Sequence, residues 1–560
     1  MTKACLFVIF TLFQAGFLLG VPEVQLPTGV IRGREDTTVN NKQYFAFEKV
    51  PYAAPPIGVL RFKAPVPPPN WEEPLDTVNL DVSCYQVSGN SDAESEDCLY
   101  INVFTPQLPS GTTNVSLPVM LFIHGGGFMF GSGRNTYSDY IIEENVIFAT
   151  INYRLGPFGF LSTEDHYIPG NNGLKDQHMA IKWTHSNIHL FGGDPDKITI
   201  MGQSAGSASV AYHLLNQQSQ GLFQSAILES GSFLSPFAFQ RRAREIAFAT
   251  AAFLNDTFDT TENSKELYEF LKGVDAKDLD LASQKYHESE TLESAQILTG
   301  RYYSPVIEVK NPDAFLTKKM YGLLKAGNLV RVPILIGINS EEGLVYNTNP
   351  DILTQNMATF DENVSWLVPK DMMLIDDQPL LEMGTQIKTM YVGSGNLSEH
   401  IGDGVRYYSD HSFTRSIIKT AELYSNFSET FFYQFSYDGP LGGVNIHYDG
   451  AENVGHAEEL SYLFCHGSGC NRDDIPDSDK LTRQRLIKLW TNFAKYQNPT
   501  PQPEELLQNV TWPKVSTESG DFLYLDIDEN LEVKNHPKEE TYSKWVELYE
   551  SLGYDNFDTY

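Results

Sequence analysis

The sequence predicts an α/β fold built on an open, mostly parallel central sheet. Several short apolar runs end in glycine or a polar turn, as buried parallel strands do. Segments with helical character alternate with these runs, which favours a parallel sheet with helices on both faces. The chain has 560 residues, and no Gly/Ser linker, low-complexity block or internal repeat divides it. We therefore expect one large, heavily inserted domain at 21–560.

Six runs have the length of buried strands, and two segments between them have helical character. In parallel sheets, ligands bind at the carboxyl ends of the strands, so those ends are where we expect the chemistry. The strand runs are PVMLFIH (118–124), VIFATINY (146–153), KITIMG (197–202), SAILES (225–230), VPILIGI (332–338) and FFYQFSY (431–437), and the helical segments are LKDQHMAIKWTHSNI and TRQRLIKLWTNFAKY.

Two long regions, 240–330 and 347–417, lack strong strand runs and are polar with helical character. We interpret them as helical insertions that cover the active face of the sheet.

The first twenty residues predict export. One lysine precedes a mostly apolar run, which is typical of a secretory signal peptide at 1–20 with cleavage near Gly20. An N-terminal membrane anchor is the alternative, but the run is short for a span and polar sequence follows it. No later stretch has the roughly 20 predominantly apolar residues of a transmembrane helix. We expect a secreted protein without stable membrane insertion.

Cysteines and glycosylation sequons agree with export. Removal of the signal peptide leaves four cysteines, which allow three pairings. The smallest loop closures favour Cys84–Cys98 and Cys465–Cys470, whereas four free thiols would suit a cytosolic chain better. The six N-x-S/T acceptors predict a glycoprotein; they are Asn114, Asn255, Asn363, Asn396, Asn426 and Asn509.

The formal charge of −32, from 40 basic and 72 acidic residues, disfavours binding to nucleic acid or to an anionic membrane surface. The acidic runs are expected to be solvated faces.

Ser204 is the candidate nucleophile. It lies in GQSAG, between the apolar run KITIM and the helical segment SASVAYHLL. A nucleophile elbow needs this strand–turn–helix order, with small residues where the turn crowds the backbone. A G-x-S-x-G match occurs by chance roughly 0.2 times in a chain of this length, so the pattern alone could mark an ordinary turn.

The glycine run His124-Gly125-Gly126-Gly127 closes another predicted strand. Consecutive glycines let backbone N–H groups point at one small volume, as an oxyanion hole requires. We predict that Gly126, Gly127 and Ala205 donate the N–H groups. A phosphate-binding turn is the alternative, but no lysine follows the run and no G-x-G-x-x-G pattern is present.

A serine nucleophile needs a histidine base and an acid that orients the histidine. Glu341 and Glu342 follow the run VPILIGI, and His456 follows FFYQFSY and a loop, so the order Ser, acid, His is that of α/β-hydrolases. Spacing alone also allows a solvated surface acid and an ordinary loop histidine.

The ordered motifs resemble those of the type-B carboxylesterase/cholinesterase family. They are SEDCLYINVFTP, HGGGFMFGSG, NYRLGPFGFLS, GNNGLKDQ, FGGDPDKITIMGQSAG, SEEG and GHAEELSYLF, and the likeness extends from about Val24 to about Asp526. The chain is most similar to the secreted insect carboxylesterases.

The resemblance implies an α/β-hydrolase fold with an active-site gorge and a triad of Ser204, Glu342 and His456. Glu342 is preferred to Glu341 because the acid of the family directly precedes a glycine, here Gly343. The resemblance maps the family's first disulfide onto Cys84–Cys98. It also implies structural ion pairs between Arg61 and Glu96 and between Arg154 and Asp176. No metal or organic cofactor is implied.

Departures from the family exclude choline esters as the specific substrate. Cholinesterases have a glutamate before the nucleophile and a tryptophan in a long first disulfide loop, which stacks on the quaternary ammonium. Here Gln203 precedes Ser204, and none of the 13 residues between Cys84 and Cys98 is tryptophan. Glu229 stands where many relatives have glutamine.

The sequence therefore predicts a secreted serine carboxylesterase that hydrolyses small neutral carboxylic esters, which could be xenobiotic, odorant, pheromone or hormone esters. A juvenile hormone esterase is the first alternative, since its elbow is also GQSAG. A non-catalytic adhesion protein of the same family is the second, but such members typically lack a triad residue and have a transmembrane segment. The sequence does not predict the oligomeric state.

Overall fold

The computed structural model describes residues 21–87, 93–110, 115–134, 136–289, 301–346, 349–444, 446–470, 474–516 and 521–560. The predicted signal peptide at 1–20 and the sequon at Asn114 lie outside these residues.

Fourteen strands are formed by the described residues. They are β1 (Glu23–Leu26), β2 (Gly29–Arg32), β3 (Arg34–Thr37), β4 (Gln43–Pro51), β5 (Leu75–Asp76), β6 (Tyr100–Thr105), β7 (Leu117–Ile123), β8 (Ile147–Ile151), β9 (Gly193–Gln203), β10 (Ser225–Glu229), β11 (Ile334–Asn339), β12 (Thr430–Phe435), β13 (Leu523–Ile527) and β14 (Leu531–Asn535).

Eleven of these strands form one sheet in the order β14-β13-β12-β11-β10-β9-β7-β8-β6-β4-β3. The seven strands from β13 to β8 run parallel to one another, and β14 at one margin and β6, β4 and β3 at the other pair antiparallel. The six predicted strand runs are β7 to β12, which confirms the mostly parallel sheet. A separate sheet contains β1, β2 and β5.

Helices surround the sheet. In the described parts of the chain they are α1 (Asp139–Glu143), α2 (Gly156–Phe160), α3 (Asn172–Asn187), α4 (Ala205–Leu215), α5 (Ala243–Ala252), α6 (Ser264–Gly273), α7 (Ala276–Ser289), α8 (Met320–Lys325), α9 (Pro350–Glu362), α10 (Asp377–Val392), α11 (Ile401–Ser409), α12 (Arg415–Tyr424), α13 (Leu460–Leu463), α14 (Asp477–Tyr496) and α15 (Glu539–Ser551). A π-helical turn, Asp410–Thr414, joins α11 to α12. None of the described helices is long and apolar enough to cross a membrane.

The sheet separates two hydrophobic cores. Along β9, Ile198 and Ile200 point into one core, and Met201 points into the other, as the alternation of a strand requires. Trp490 of α14 lies in the core with Met201. Because both faces are covered, the central strands can be apolar throughout.

The two predicted insertions are helical in the structure. The region 240–330 contains α5 to α8, and 347–417 contains α9, α10, α11 and the start of α12. The π-helical turn contacts the short helix Glu342–Tyr346, which follows β11. The second insertion therefore borders the carboxyl edge of the sheet.

Covalent and ionic links match the expectations from sequence. Disulfides join Cys84 to Cys98 and Cys465 to Cys470. Arg61 binds Glu96 through two hydrogen bonds, and Arg154 binds the buried Asp176 in the same two-pronged way. Two parallel hydrogen bonds of this kind fix the relative orientation of the guanidinium and the carboxylate and also strengthen the ion pair.

Candidate active site

Ser204 occupies a sharp turn between β9 and α4. Its φ of 59° and ψ of −124° are rare for a residue with a side chain and signal local strain. The flanking glycines make the turn possible, because a Cβ at Gly206 would lie 2.0 Å from the Ile123 carbonyl oxygen. A Cβ at Gly202 would lie 2.4 Å from the carbonyl carbon of Gly206. The G-x-S-x-G pattern is thus a packing requirement of this turn.

The glycine run lies beside Ser204. It begins just after β7 ends at Ile123, and a Cβ at Gly125 would lie 3.0 Å from the Ser204 Cβ. Gly126 and Gly127 have φ values of 99° and 60°, in the left-handed region that favours glycine. On the other side of the turn, Ala205 is the first residue of α4. The first N–H groups of a helix have no acceptor within it, which suits anion binding.

The structure brings the predicted acid and base into contact. His456 Nδ1 lies 2.6 Å from Glu342 Oε2, and Glu342 is fully buried. The second carboxylate oxygen of Glu342 accepts the Asn339 backbone N–H at 2.7 Å. The Asn339 amide also donates to the Gly455 carbonyl, next to His456. The end of β11 therefore holds both the acid and the loop that carries the base.

Glu341, the neighbouring acid, points elsewhere. Its carboxylate accepts hydrogen bonds from the Ser409 hydroxyl at 2.6 Å and the Glu452 backbone N–H at 2.9 Å. It also binds the Arg406 guanidinium at 3.2 Å. Glu341 therefore joins the helical insertion to the loop before His456, and Glu342 is the acid that contacts the histidine.

Two contacts of His456 were not predicted from sequence. The Gln203 side-chain nitrogen lies 3.2 Å from His456 Nε2, and Phe413 of the π-helical turn packs on the imidazole with ring centroids 4.4 Å apart. Gln203 is identifiable in the sequence as the residue before the nucleophile, but no sequence pattern indicates that its side chain reaches His456. Phe413 belongs to no motif. π-Helical turns often occur at functional sites.

Two further buried carboxyl groups lie near Glu342. Glu229 ends β10 and accepts a hydrogen bond from the Trp490 indole at 2.6 Å, and burial raises its pKa to about 8. Glu459 accepts a hydrogen bond from Asn339. Burial, with the charges of Glu229 and Glu342, raises the pKa of Glu459 well above its ordinary value. One oxygen of Glu229 and one of Glu459 have no partner among the described residues.

His124 precedes the glycine run and is buried. Its ring stacks on Tyr153 with centroids 4.4 Å apart, and its Nδ1 lies 2.9 Å from the Gly125 carbonyl. Burial lowers the pKa of His124 to about 4, so the imidazole is neutral at pH 7. We interpret it as a support for the glycine run.

Five of the predicted sequons lie among the described residues. Three of their asparagines are exposed and two are half-buried; the exposed ones are Asn396, Asn426 and Asn509, and the half-buried ones are Asn255 and Asn363. The described residues contain no group of three or more His, Cys, Asp or Glu side chains placed to hold a metal ion.

Comparisons with known proteins agree with this architecture. Residues 20–545 match the model of the carboxylesterase family. A juvenile hormone esterase of Tribolium castaneum is 33% identical over 523 residues, which cover 89% of this chain and 86% of the relative. Venom carboxylesterase-6 of Apis mellifera is 31% identical, with 95% of each chain covered.

A solved structure of juvenile hormone esterase from Manduca sexta, with OTFP covalently attached, superposes with a TM-score of 0.78. It is 29% identical, and the match covers 94% of this chain and 99% of that one. Together with the α/β architecture, these matches show that the chain belongs to the carboxylesterase family and is a carboxylic ester hydrolase.

Proposed function

We propose that this ester hydrolase uses Ser204 as nucleophile, His456 as base and Glu342 as the acid that orients the base. The observation that carries the proposal is the 2.6 Å contact between His456 Nδ1 and Glu342 Oε2, with Nε2 on the side of the serine turn. A carboxylate on Nδ1 fixes the tautomer in which Nε2 accepts a proton.

The reaction proceeds in two halves. Ser204 Oγ attacks the ester carbonyl carbon while its proton passes to His456 Nε2. The oxyanion is bound by the N–H groups of Gly126, Gly127 and Ala205, each worth about 3 kcal/mol in the transition state. Collapse breaks the bond to the alkoxide oxygen, which takes the proton from His456 and leaves an acyl-enzyme. Water then attacks, with His456 again as base, and releases the acid.

The Gln203 side chain influences the reaction through its contact with His456 Nε2. In the structure its amide donates to the nitrogen that must accept the serine proton, so this side chain must release Nε2 before attack. Because the Gln203 side chain is neutral, it places no negative charge beside the imidazole that would favour protonation of His456. This supports neutral carboxylic esters as substrates and agrees with the exclusion of choline esters.

We also propose that the protein is secreted and glycosylated. The paired cysteines, the three exposed sequon asparagines and the apolar run at 1–20 support export. Sequencing the N-terminus of protein from a eukaryotic expression medium tests this. A chain beginning near residue 21 is expected, whereas a chain retained in the cell with residues 1–20 attached would contradict export.

A juvenile hormone esterase is the second candidate function. It is favoured by the likeness to esterases of that name from two insects. Values of kcat/KM for short acetates, long-chain acetates and a juvenile hormone distinguish the candidates, with Ser204→Ala as the blank. A hormone preference of about a hundredfold or more would favour the second candidate, and residual Ser204→Ala activity near wild type would contradict the mechanism.

A further inference from the structure

Glu341 binds the loop that carries His456 through both its backbone and its side chain. Its N–H donates to the Val454 carbonyl at 2.8 Å, and its carboxylate accepts the Glu452 N–H at 2.9 Å. Val454 lies two residues before His456, and Glu452 lies four residues before it. Glu341 itself directly precedes Glu342. One residue therefore adjoins the acid in the chain and binds the segment that carries the base.

The same carboxylate binds helix α11. Arg406 and Ser409, which are three residues apart and lie on one face of this helix, donate to it at 3.2 Å and 2.6 Å. The Ser409 hydroxyl in turn accepts the Gly343 N–H at 2.8 Å. Because Gly343 follows Glu342, these contacts fix the backbone on both sides of the acid.

Burial makes the contacts of Glu341 costly to lose. Glu341 is 1% exposed. Hydrogen bonds to a charged group are among the stronger ones in proteins, and a buried donor left without an acceptor loses its solvation without compensation. Without this carboxylate, the Glu452 N–H loses its acceptor and Arg406 loses its ionic partner. The loop at 452–455 and α11 would then be free to shift relative to Glu342.

A shift of either segment would disturb the base. The 2.6 Å contact between His456 and Glu342 joins two separate segments of the chain, so it depends on how the loop is held. The π-helical turn Asp410–Thr414 begins directly after Ser409 and carries Phe413, which packs on the imidazole. Glu341 thus binds both segments that contact His456 from outside the serine turn.

We infer that Glu341 is a positioning residue for His456: it holds the loop of the base and helix α11 where the imidazole meets Glu342. This inference rests on the proposed function of Ser204, His456 and Glu342. Misplacement of a catalytic group by about 1 Å can cost about a hundredfold in rate, so the contacts of Glu341 should be visible in kcat.

The experiment compares two variants of Glu341 that both lack its charge. In Glu341→Gln, the amide oxygen can accept the Glu452 N–H and the amide nitrogen can donate to the Ser409 hydroxyl oxygen, whereas Glu341→Ala removes both links. The substrate is 4-nitrophenyl acetate, and kcat is expressed per site labelled at the end point of fluorophosphonate reaction. We expect kcat to fall roughly ten- to hundredfold in Glu341→Ala and less than about fivefold in Glu341→Gln, with KM changed less than about threefold in both.

The pH profile separates positioning from loss of structure. Unfolded molecules lower the plateau of kcat/KM and leave its acid limb in place. A weaker contact between His456 and Glu342 favours the imidazolium less, so the acid limb of Glu341→Ala should lie at lower pH than that of Glu341→Gln.

Asp361→Ala is the matched control. Asp361 lies on α9 and its side chain is 11% exposed. Like Glu341, it accepts a hydroxyl, a backbone N–H and a cation, which are those of Ser398, Leu397 and Lys388. Its removal should leave kcat per labelled site and the acid limb as in wild type.

Equal losses of kcat per site in Glu341→Ala and Asp361→Ala, or in Glu341→Ala and Glu341→Gln, would overturn the inference. If Glu341→Ala does not fold, Ser409→Ala removes the link from Glu341 to Gly343 and should lower kcat per site by about three- to tenfold. An unchanged value in Ser409→Ala would overturn the inference equally. Absence of fluorophosphonate labelling in wild type would instead contradict the proposed function.

Discussion

Two buried glutamates at the ends of adjacent strands differ in every contact that sets their chemistry. Glu342, after β11, has one oxygen on His456 and the other on a backbone N–H. Glu229, at the end of β10, has one oxygen on the Trp490 indole and one without a partner among the described residues. Both side chains are fully buried. Their hydrogen-bond partners, and not their burial, therefore assign them different roles.

The buried carboxyl groups near Glu342 also differ from it in how burial affects their protonation. Burial raises the pKa of Glu229 to about 8 and that of Glu459 well above its ordinary value. Both shifts favour the protonated, neutral form of these carboxyl groups, whereas Glu342 is the carboxyl group that contacts His456 Nδ1. A single carboxylate can then stabilise the imidazolium that forms during catalysis.

The largest expected effect comes from Glu342→Gln. The amide can donate to His456 Nδ1, which would hold the tautomer that cannot accept the Ser204 proton. We expect kcat for a 4-nitrophenyl ester to fall by about a thousand- to ten-thousandfold. Glu229→Gln, which replaces a neutral carboxyl by an amide of the same shape, should keep kcat within about threefold at pH 7. Equal losses in both variants would contradict the difference between the two glutamates.

The second prediction concerns stability and pH. A raised pKa means that the folded state binds the Glu229 proton more tightly than the unfolded state does. The free energy of unfolding should therefore fall as pH rises from about 4.5 to about 8, by about 1 kcal/mol per pH unit. Glu229→Gln removes this contribution, so its stability relative to wild type should increase with pH.

Urea unfolding from pH 5 to pH 9 measures this difference. A difference between Glu229→Gln and wild type that does not vary with pH would show that Glu229 does not titrate in this window.

The third prediction concerns the Trp490 indole, which donates a hydrogen bond to Glu229. Trp490→Phe removes the hydrogen bond and keeps most of the ring, so we expect the free energy of unfolding to fall by about 2 kcal/mol. The indole favours the ionised carboxylate, so its loss raises the pKa of Glu229 further. The decline of stability should then continue to higher pH.

Trp512→Phe is the control, because this buried indole donates to a backbone carbonyl, that of Phe432. It should lower the free energy of unfolding by a similar amount at every pH. A pH-independent loss in Trp490→Phe would mean that this indole does not act on a titrating group.

The smallest effect is expected from Gln203→Glu, which places a second carboxylate at His456. An adjacent negative charge favours the imidazolium, and a protonated base cannot accept the serine proton. The acid limb of kcat/KM against pH should move to higher pH by about one unit. A profile that does not move would show that the side chain at position 203 does not influence the protonation of His456.

The central strands and the candidate catalytic residues could both be predicted from the sequence, but from different kinds of signal. The central strands are buried on both faces and therefore continuously apolar, whereas β3, at the margin of the sheet, has the half-exposed sequence REDT and was not predicted. Ser204, Glu342 and His456 were identified from motifs and chain order, and the elbow and glycine run follow from local backbone requirements.

The contacts that refine the site were not predictable in this way. Gln203 meets His456 across 253 residues, and Glu229 meets Trp490 across 261. Such pairs are set by the packing of separate elements and leave no periodic signal in one sequence.

The reaction of Ser204 with a fluorophosphonate probe tests the central claim most directly. Intact-mass and peptide mapping of the purified protein should show one adduct per chain, on the peptide containing Ser204. Labelling should be slowed strongly in Glu342→Gln, little in Glu229→Gln, and abolished in Ser204→Ala. An adduct on another residue, or equal labelling rates in the two glutamate variants, would contradict the assignment of Ser204, His456 and Glu342 as one catalytic unit.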